Sequence, residues 1–257
     1  MSVTLATAWK PRGELHRLKK LLPQLNNVYF SVVVSLPPDV ETGVVKILEA
    51  LPNIQVVLTT KWGYGRYLAV QTALKTPASH IQYADMDRLL RWVERDPEEW
   101  LRIVETIQAR DCLVIGRTPT AYQTHPRALL ETESISNMVA SYFLGKTIDV
   151  SAGSKGFSRQ AAKYVIENST PGHPFGWDAE WPVLLHRAGF TVDTVLVDGL
   201  DWETADHYQD KAADAETQKM RADVYDTDPK NWQRRVEIAM EIVQYGLDAA
   251  QRPINRE

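Results

Sequence analysis

The chain has 257 residues, 44% of them hydrophobic and 24% charged, and a net charge of −4. That length suits one large domain, or one domain with a helical appendage, with a sizeable buried core. The mild negative charge lacks the basic stripe of a nucleic-acid binder, so no nucleic-acid partner is expected.

The single cysteine, Cys112, lies in an apolar run and has no internal disulfide partner. A reducing, cytoplasmic setting is the expectation. The N-terminus lacks the charged-then-apolar design of a secretory segment. No apolar run approaches the roughly 20 residues of a membrane helix. The eight tryptophans read mostly as core and rim packing, but several sit beside polar loop residues where a ring can stack on a sugar or a base.

In chain order, Val3 to Trp9 reads as a first strand ending at Lys10-Pro11. Leu15, Leu18 and Leu22 recur at helical spacing, with the helix closed near Pro23. Val28 to Leu36 is a nearly all-apolar second strand, as in a parallel sheet covered on both faces. Val40, Val44, Ile47, Leu48 and Leu51 mark the next helix, and Ile54 to Thr59 the third strand. Gly63 and Gly65 break the chain before a short helix from Arg66 to Lys75. His80 to Ala84 is the fourth strand, and two carboxylates, Asp85 and Asp87, follow it. Asp96-Pro97-Glu98-Glu99 starts a helix with Trp100, Leu101, Val104 and Ile107 on its buried face. Asp96 caps that helix, so Asp85 and Asp87 are not needed for the task.

Cys112 to Gly116 is another buried strand, and a helix runs from Pro126 to Leu144. A small-residue loop from Asp149 to Arg159 surrounds a short strand, with Ser158 as the next N-cap. Trp177-Asp178-Ala179-Glu180-Trp181 opens a helix stopped by Gly189, and Phe190 to Val197 is the last strand. The alternation predicts a doubly wound, mostly parallel α/β sheet with helices on both faces. Ligands of such sheets sit outside the carboxyl ends of the strands, where Trp9, Ser35, Thr60, Asp85 and Asp87 fall. After a polar stretch, Trp232 to Ala249 is an amphipathic helix with Trp232, Val236, Ala239, Met240, Val243 and Leu247 along one stripe. Residues 1–207 read as the catalytic domain. Residues 208–257 read as an extension whose helix packs on that domain or on a second subunit, making a homodimer.

From Asp85-Met86-Asp87 outward, residues 3 to 207 resemble the GT-A class of nucleotide-sugar glycosyltransferases, in particular its family-2 type. Asp85-Met86-Asp87 matches that family's DxD motif. Trp62-Gly63-Tyr64-Gly65-Arg66 looks like its glycine-containing turn near the ribose and diphosphate. Ser151 to Ser158 looks like its small-residue acceptor-side loop, and Asp178 with Gly189 matches the spacing of its catalytic carboxylate helix. Strand one lacks the family's usual proline-x-x-asparagine-glutamate ending, and strand two lacks the aspartates that commonly follow it.

The resemblance implies a UDP- or GDP-linked sugar as donor, an unnamed small-molecule or glycan acceptor, and Mn²⁺ or Mg²⁺ at the diphosphate. It puts Thr7, Trp9 and Ser35 at the nucleobase. Asp87 goes to the metal, and Asp85 to the metal's outer shell or the ribose. His207, after the last strand, is a further candidate metal ligand. Arg66 and Lys155 are diphosphate partners by charge and loop position. Asp178 is the candidate general base of an inverting transfer, with Glu180 in reserve. Asp178 also reads as the N-cap of its helix. A nucleotidyltransferase shares such a sheet, but Thr7 to Gly13 is a poor version of that class's phosphate loop. A catalytically silent nucleotide- or glycan-binding module is the remaining alternative.

Overall fold

A computed structural model describes residues 2–253. The first half alternates strand and helix: β1 (Val3–Ala8), α1 (Leu15–Val28), β2 (Ser31–Leu36), α2 (Thr42–Glu49), β3 (Ile54–Leu58), α3 (Gly65–Ala73) and β4 (His80–Ala84). Two helices, α4 (Met86–Arg95) and α5 (Pro97–Ile107), lead to β5 (Cys112–Arg117). Then come α6 (Pro119–Gln123), α7 (Arg127–Leu144), β6 (Ser154–Ser158), α8 (Arg159–Asn168), α9 (Trp177–Arg187) and β7 (Val192–Val197). The chain closes with α10 (Ala215–Asp226) and α11 (Pro229–Gln251).

The strands form one seven-stranded sheet in the order β3-β2-β1-β4-β6-β5-β7. All neighbours are parallel except β6, which runs antiparallel to both β4 and β5. Leu5, Val32, Val34, Leu89 and Trp100 build the core on one face of the sheet, and Ala6, Val33, Tyr83, Phe157 and Trp181 the core on the other. This is the doubly wound, mostly parallel sheet that the alternation predicts. Strand order reverses between β1 and β4, and a crevice opens at their carboxyl ends. Because β6 is antiparallel, its first residue, Ser154, pairs with Ala84 at the end of β4. The loop before β6 is thereby brought against Asp85, whose amide donates to the Gly153 carbonyl at 3.1 Å.

Several local expectations are corrected. Pro23 does not close α1 but lies inside it. The missing amide costs a helix about 3 kcal/mol, offset by burial of Leu18, Leu21, Leu22 and Leu25. The helix therefore continues to Val28, and β2 begins only at Ser31. Three helices are not predicted from the sequence: the short α6, α10 in the polar stretch, and α4, which begins within the carboxylate pair. Asp96 does cap α5, accepting from the Glu99 amide at 2.8 Å. Asp85, however, sits at the N-cap position of α4 with its side chain not engaged in capping. In α5, Ile103 joins the buried face and Leu101 is exposed. The stripe read on α11 is also rotated. Ile238, Ala239, Ile242, Gly246 and Ala249 are buried, whereas Val236 and Met240 face solvent. α11 lies against both α7 and α9, and Gly246 allows close approach, since a Cβ there would stand 3.0 Å from that of Ala179.

The segment after β7 is pinned by buried charges. Asp206 accepts from Arg17 at 3.0 Å and from Arg91 at 2.6 Å, and from the Ala213 amide at 2.8 Å. All three side chains are essentially inaccessible. Asp206→Ala leaves two buried guanidiniums short of an anion and is expected to cost about 3–5 kcal/mol. Urea unfolding that shows a loss below about 1 kcal/mol would contradict this account.

Candidate active site at the β1/β4 crevice

A cavity of about 570 Å³ lies over the carboxyl ends of β1, β2 and β4, within the size range of small-ligand sites. Ala8, Trp9, Lys10, Ser35, Pro37, Thr59 and Trp62 line one end of it. Arg66, Asp85, Asp87, Arg88 and Glu203 lie along it, and Phe175, Asp178, Tyr225, Arg234 and Arg235 line the rest.

At the first end, polar groups wait for a partner. The Ser35 hydroxyl and the Trp9 indole N–H are buried without a hydrogen bond; the Thr7 hydroxyl is buried and unpaired too, but Thr7, expected at the nucleobase, does not line the cavity. Buried polar atoms are rarely left in that state, and a heterocycle with donors and acceptors is a ligand that would satisfy them. Trp62 is exposed, with the Lys10 ammonium over its ring at 5.0 Å. The glycine turn that carries it is tight for a concrete reason. A Cβ on Gly63 would stand 2.2 Å from the Gly172 carbonyl oxygen, where the 171–176 loop crosses.

Arg66 holds the middle. Its Nη2 donates to both oxygens of Asp85, at 3.3 and 3.2 Å. Its Nη1 lies 2.9 Å from Asp178 Oδ1. Tyr83 Oη donates to Asp85 Oδ1 at 2.7 Å. Lys155 Nζ donates to the same Asp178 oxygen at 2.8 Å and to the Val150 carbonyl at 3.0 Å. Burial alone would raise the Asp178 pKa, but Arg66 and Lys155 outweigh it and hold the carboxyl below its usual range. Gly153 completes the fit, at φ +69°, where a Cβ would press to 2.4 Å from Asp85 Oδ2.

The second carboxylate of the pair is in the opposite situation. Asp87 is half-buried and takes only the Arg88 amide, at 2.9 Å. Burial, with the nearby carboxylates of Glu203 and Asp85, raises its pKa to about 7. Arg88 is shared with Glu203, its Nε 3.3 Å from Oε2, and with the Ser151 carbonyl. The Asp85–Arg66–Asp178–Lys155 group is balanced in charge. In the Asp87–Glu203–Arg88 group the Arg88 side chain is turned to Glu203, so the ionised form of Asp87 lacks a counter-charge that a cation would supply. Among the described residues, no three His, Cys, Asp or Glu side chains converge as a protein-only metal cage. The donor set thus fits a hard cation that takes few protein carboxylates and completes its shell with diphosphate oxygens and water.

Besides Thr7, three sequence candidates lie elsewhere than expected. Glu180 does not line the cavity. It is fully buried, accepting from Ser169 Oγ, the Thr170 amide and Arg252 Nη2. Lys155 is buried beneath Asp178 and does not line the cavity either. His207 lies against Arg12 Nη1 at 3.4 Å and Glu14 Oε1 at 3.8 Å, and burial lowers its pKa. Asp178 is not an N-cap. That position belongs to Gly176, and Asp178 sits in the first turn of α9. Sequence reasoning missed Glu203, Arg88, Arg234 and Arg235. An acidic residue four positions before His207, in the same post-strand stretch, was the signal for Glu203.

No family model and no curated protein matches the chain. Solved structures do share its fold. A structure of glucosyl-3-phosphoglycerate synthase from Mycobacterium tuberculosis, in complex with Mn²⁺, uridine diphosphate and phosphoglyceric acid, aligns over 99% of this chain and 80% of its own. Its TM-score is 0.56 at 10% identity. Another structure of that synthase gives a TM-score of 0.58 at 11% identity, covering 99% and 82%. A further mycobacterial protein gives 0.62 at 11% identity, covering 99% and 76%. The chain therefore has a GT-A-like fold, the α/β architecture of nucleotide-sugar glycosyltransferases.

The Arg66 bridge makes a direct prediction. Arg66→Ala is expected to cost about 3 kcal/mol, and Arg66→Lys to restore only part of it, since one ammonium cannot serve two carboxylates. Equal stability of the Arg66→Lys variant and the wild-type protein in urea would refute the bridging role. Acid stability carries a second signature. The folded pKa of Asp178 lies below its unfolded value of about 3.9, so its contribution is present above that pH and is lost as pH falls through the folded value. Asp178→Asn should therefore flatten the acid limb of stability below about pH 4. An unchanged limb would mean that another group dominates it.

Proposed function

We propose that the protein is a metal-dependent glycosyltransferase that moves a sugar from a nucleoside diphosphate sugar to an acceptor. The observation that carries this reading is the uncompensated charge at Asp87. It stands at the carboxyl end of β4, beside Glu203, in a cavity whose far end offers orphaned polar atoms to a base. UDP is the favoured nucleotide and Mn²⁺ the favoured metal, because the mycobacterial synthase of similar fold binds both. GDP and Mg²⁺ satisfy the same donor chemistry.

In this reading, Asp87 holds the cation, with Glu203 adding negative charge nearby and Asp85 ordered by Arg66 and Tyr83. The cation supplies charge stabilisation for the departing diphosphate. Arg66 presents its guanidinium to the same region, and Trp9, Ser35 and Trp62 receive the nucleobase. Asp178 is ionised, as a base must be, but its oxygen is shared by two cations and its basicity is low. Its contribution is to hold Arg66 and Lys155 in place rather than to carry a proton. The same engagement of Asp178 and Glu180 favours one second reading, a catalytically silent nucleotide-binding module. That module would bind UDP-sugar without hydrolysing or transferring it over long incubation.

UDP with Mn²⁺ at about 100-fold over Kd is expected to stabilise the fold by about 2.7 kcal/mol, a shift of roughly 5–10 °C in Tm. Asp87→Asn should remove the Mn²⁺-dependent part. It should also raise the Tm of the ligand-free protein slightly, because a repelled carboxylate is gone. Absence of a shift with every nucleoside diphosphate, with or without Mn²⁺, would sink the proposal.

A further inference from the structure

The cavity wall opposite β4 comes from the C-terminal helix. Arg234, Arg235, Ile238 and Ile242 of α11 all line it, and their spacing puts them on one helical face. Phe175 stands between this wall and the middle of the site. The Arg234 guanidinium lies 5.4 Å from the ring centre and the Arg66 guanidinium 5.8 Å from it.

Three buried arginines elsewhere in the described residues are consumed by structure. Arg117 is buried, with Nε and Nη2 on Asp149 at 2.8 and 2.9 Å. Arg91 and Arg17 are buried on Asp201, Asp206 and Glu94. Arg234 and Arg235 are engaged more lightly. Among the described residues, the one carboxylate paired with Arg234 is Glu237, at 3.4 Å, with both side chains exposed. Arg235 donates from Nε to Tyr225 Oη at 3.2 Å, and its nearest carboxylate, Glu133, is 3.9 Å away. Their forks remain open toward a cavity floored by Ile238 and Ile242, where apolar walls strengthen a charge contact. An open guanidinium fork is shaped for a carboxylate or a phosphate.

In the glycosyltransferase reading the donor's diphosphate already has its counter-charge in a cation at Asp87. A pair of cations across the Phe175 ring calls for a second anion. We infer that the acceptor is a small anion whose phosphate or carboxylate is gripped by Arg234 and Arg235. This rests on the glycosyltransferase reading only for the word acceptor; the anion site itself stands on the arginine geometry.

Calorimetric titration of 3-phosphoglycerate, glycerate and neutral glycerol, with and without UDP and Mn²⁺, tests the inference. The anions are expected to bind and glycerol not to. Arg234→Ala/Arg235→Ala should weaken the anions by about tenfold or more, with UDP–Mn²⁺ affinity changed by less than about twofold. Arg234→Lys/Arg235→Lys, which keeps charge and loses the fork, should fall between. Glycerate binding as tightly as 3-phosphoglycerate identifies the carboxylate as the gripped group, and weaker binding identifies the phosphate. Anion binding that is unchanged in the alanine variant, absent in the wild type, or lost together with UDP–Mn²⁺ would overturn the inference. If the wild type binds the anions through these arginines but never binds UDP–Mn²⁺, the glycosyltransferase reading falls and the anion site stands.

Discussion

One guanidinium organises the crevice. Arg66, at the start of α3, joins Asp85 at the end of β4 to Asp178 in the first turn of α9. The two carboxylates lie 93 positions apart in sequence, and burial of Asp178 works against its charge, which Arg66 and Lys155 restore. The bridge ties three elements to one charge. Breaking it leaves buried anions short of a partner, which costs far more than an exposed ion pair contributes. Lys155 shares the load from below, so the middle of the site is balanced without any ligand.

That balance makes the imbalance beside it informative. Asp87 and Glu203 stand close enough for burial and mutual repulsion to lift the Asp87 pKa to about 7. Arg88 serves one of them by side chain and the other only through its backbone amide. A fold built for stability alone would pair or discard such a carboxylate. Strain of this kind is characteristic of positions whose partner arrives from solution. The antiparallel β6 contributes by placing Gly153 against Asp85, where no side chain would fit.

The C-terminal helix changes the meaning of the extension. α11 docks on α7 and α9 by an apolar face and presents arginines on the part of its surface that closes the cavity. The site is therefore bounded by the sheet on one side and by the last helix of the chain on the other. The exposed Val236 and Met240 lie off that docked face.

The succession of strands and helices and the position of the carboxylate pair were legible because they depend on local pattern. Apolar runs bounded by turn residues mark strands, and two acidic residues directly after the fourth run fall at the carboxyl end of β4. Helix ends were less legible, because Pro23 looks like a stop until the burial around it is known. α4 and α10 were hidden for a related reason. Their sequences are rich in charge, and they are helical because Arg88, Arg91 and Gln218 find buried partners distant in sequence. By itself the sequence determined the α/β alternation and the placement of Asp85-Met86-Asp87 directly after β4. Only the tertiary structure decided that Asp178 is spoken for, that Glu180 and Lys155 turn away from the cavity, and that Glu203, Arg234 and Arg235 join it. Charge pairing depends on distances of a few ångströms between residues far apart in sequence, and no periodicity along the chain encodes them.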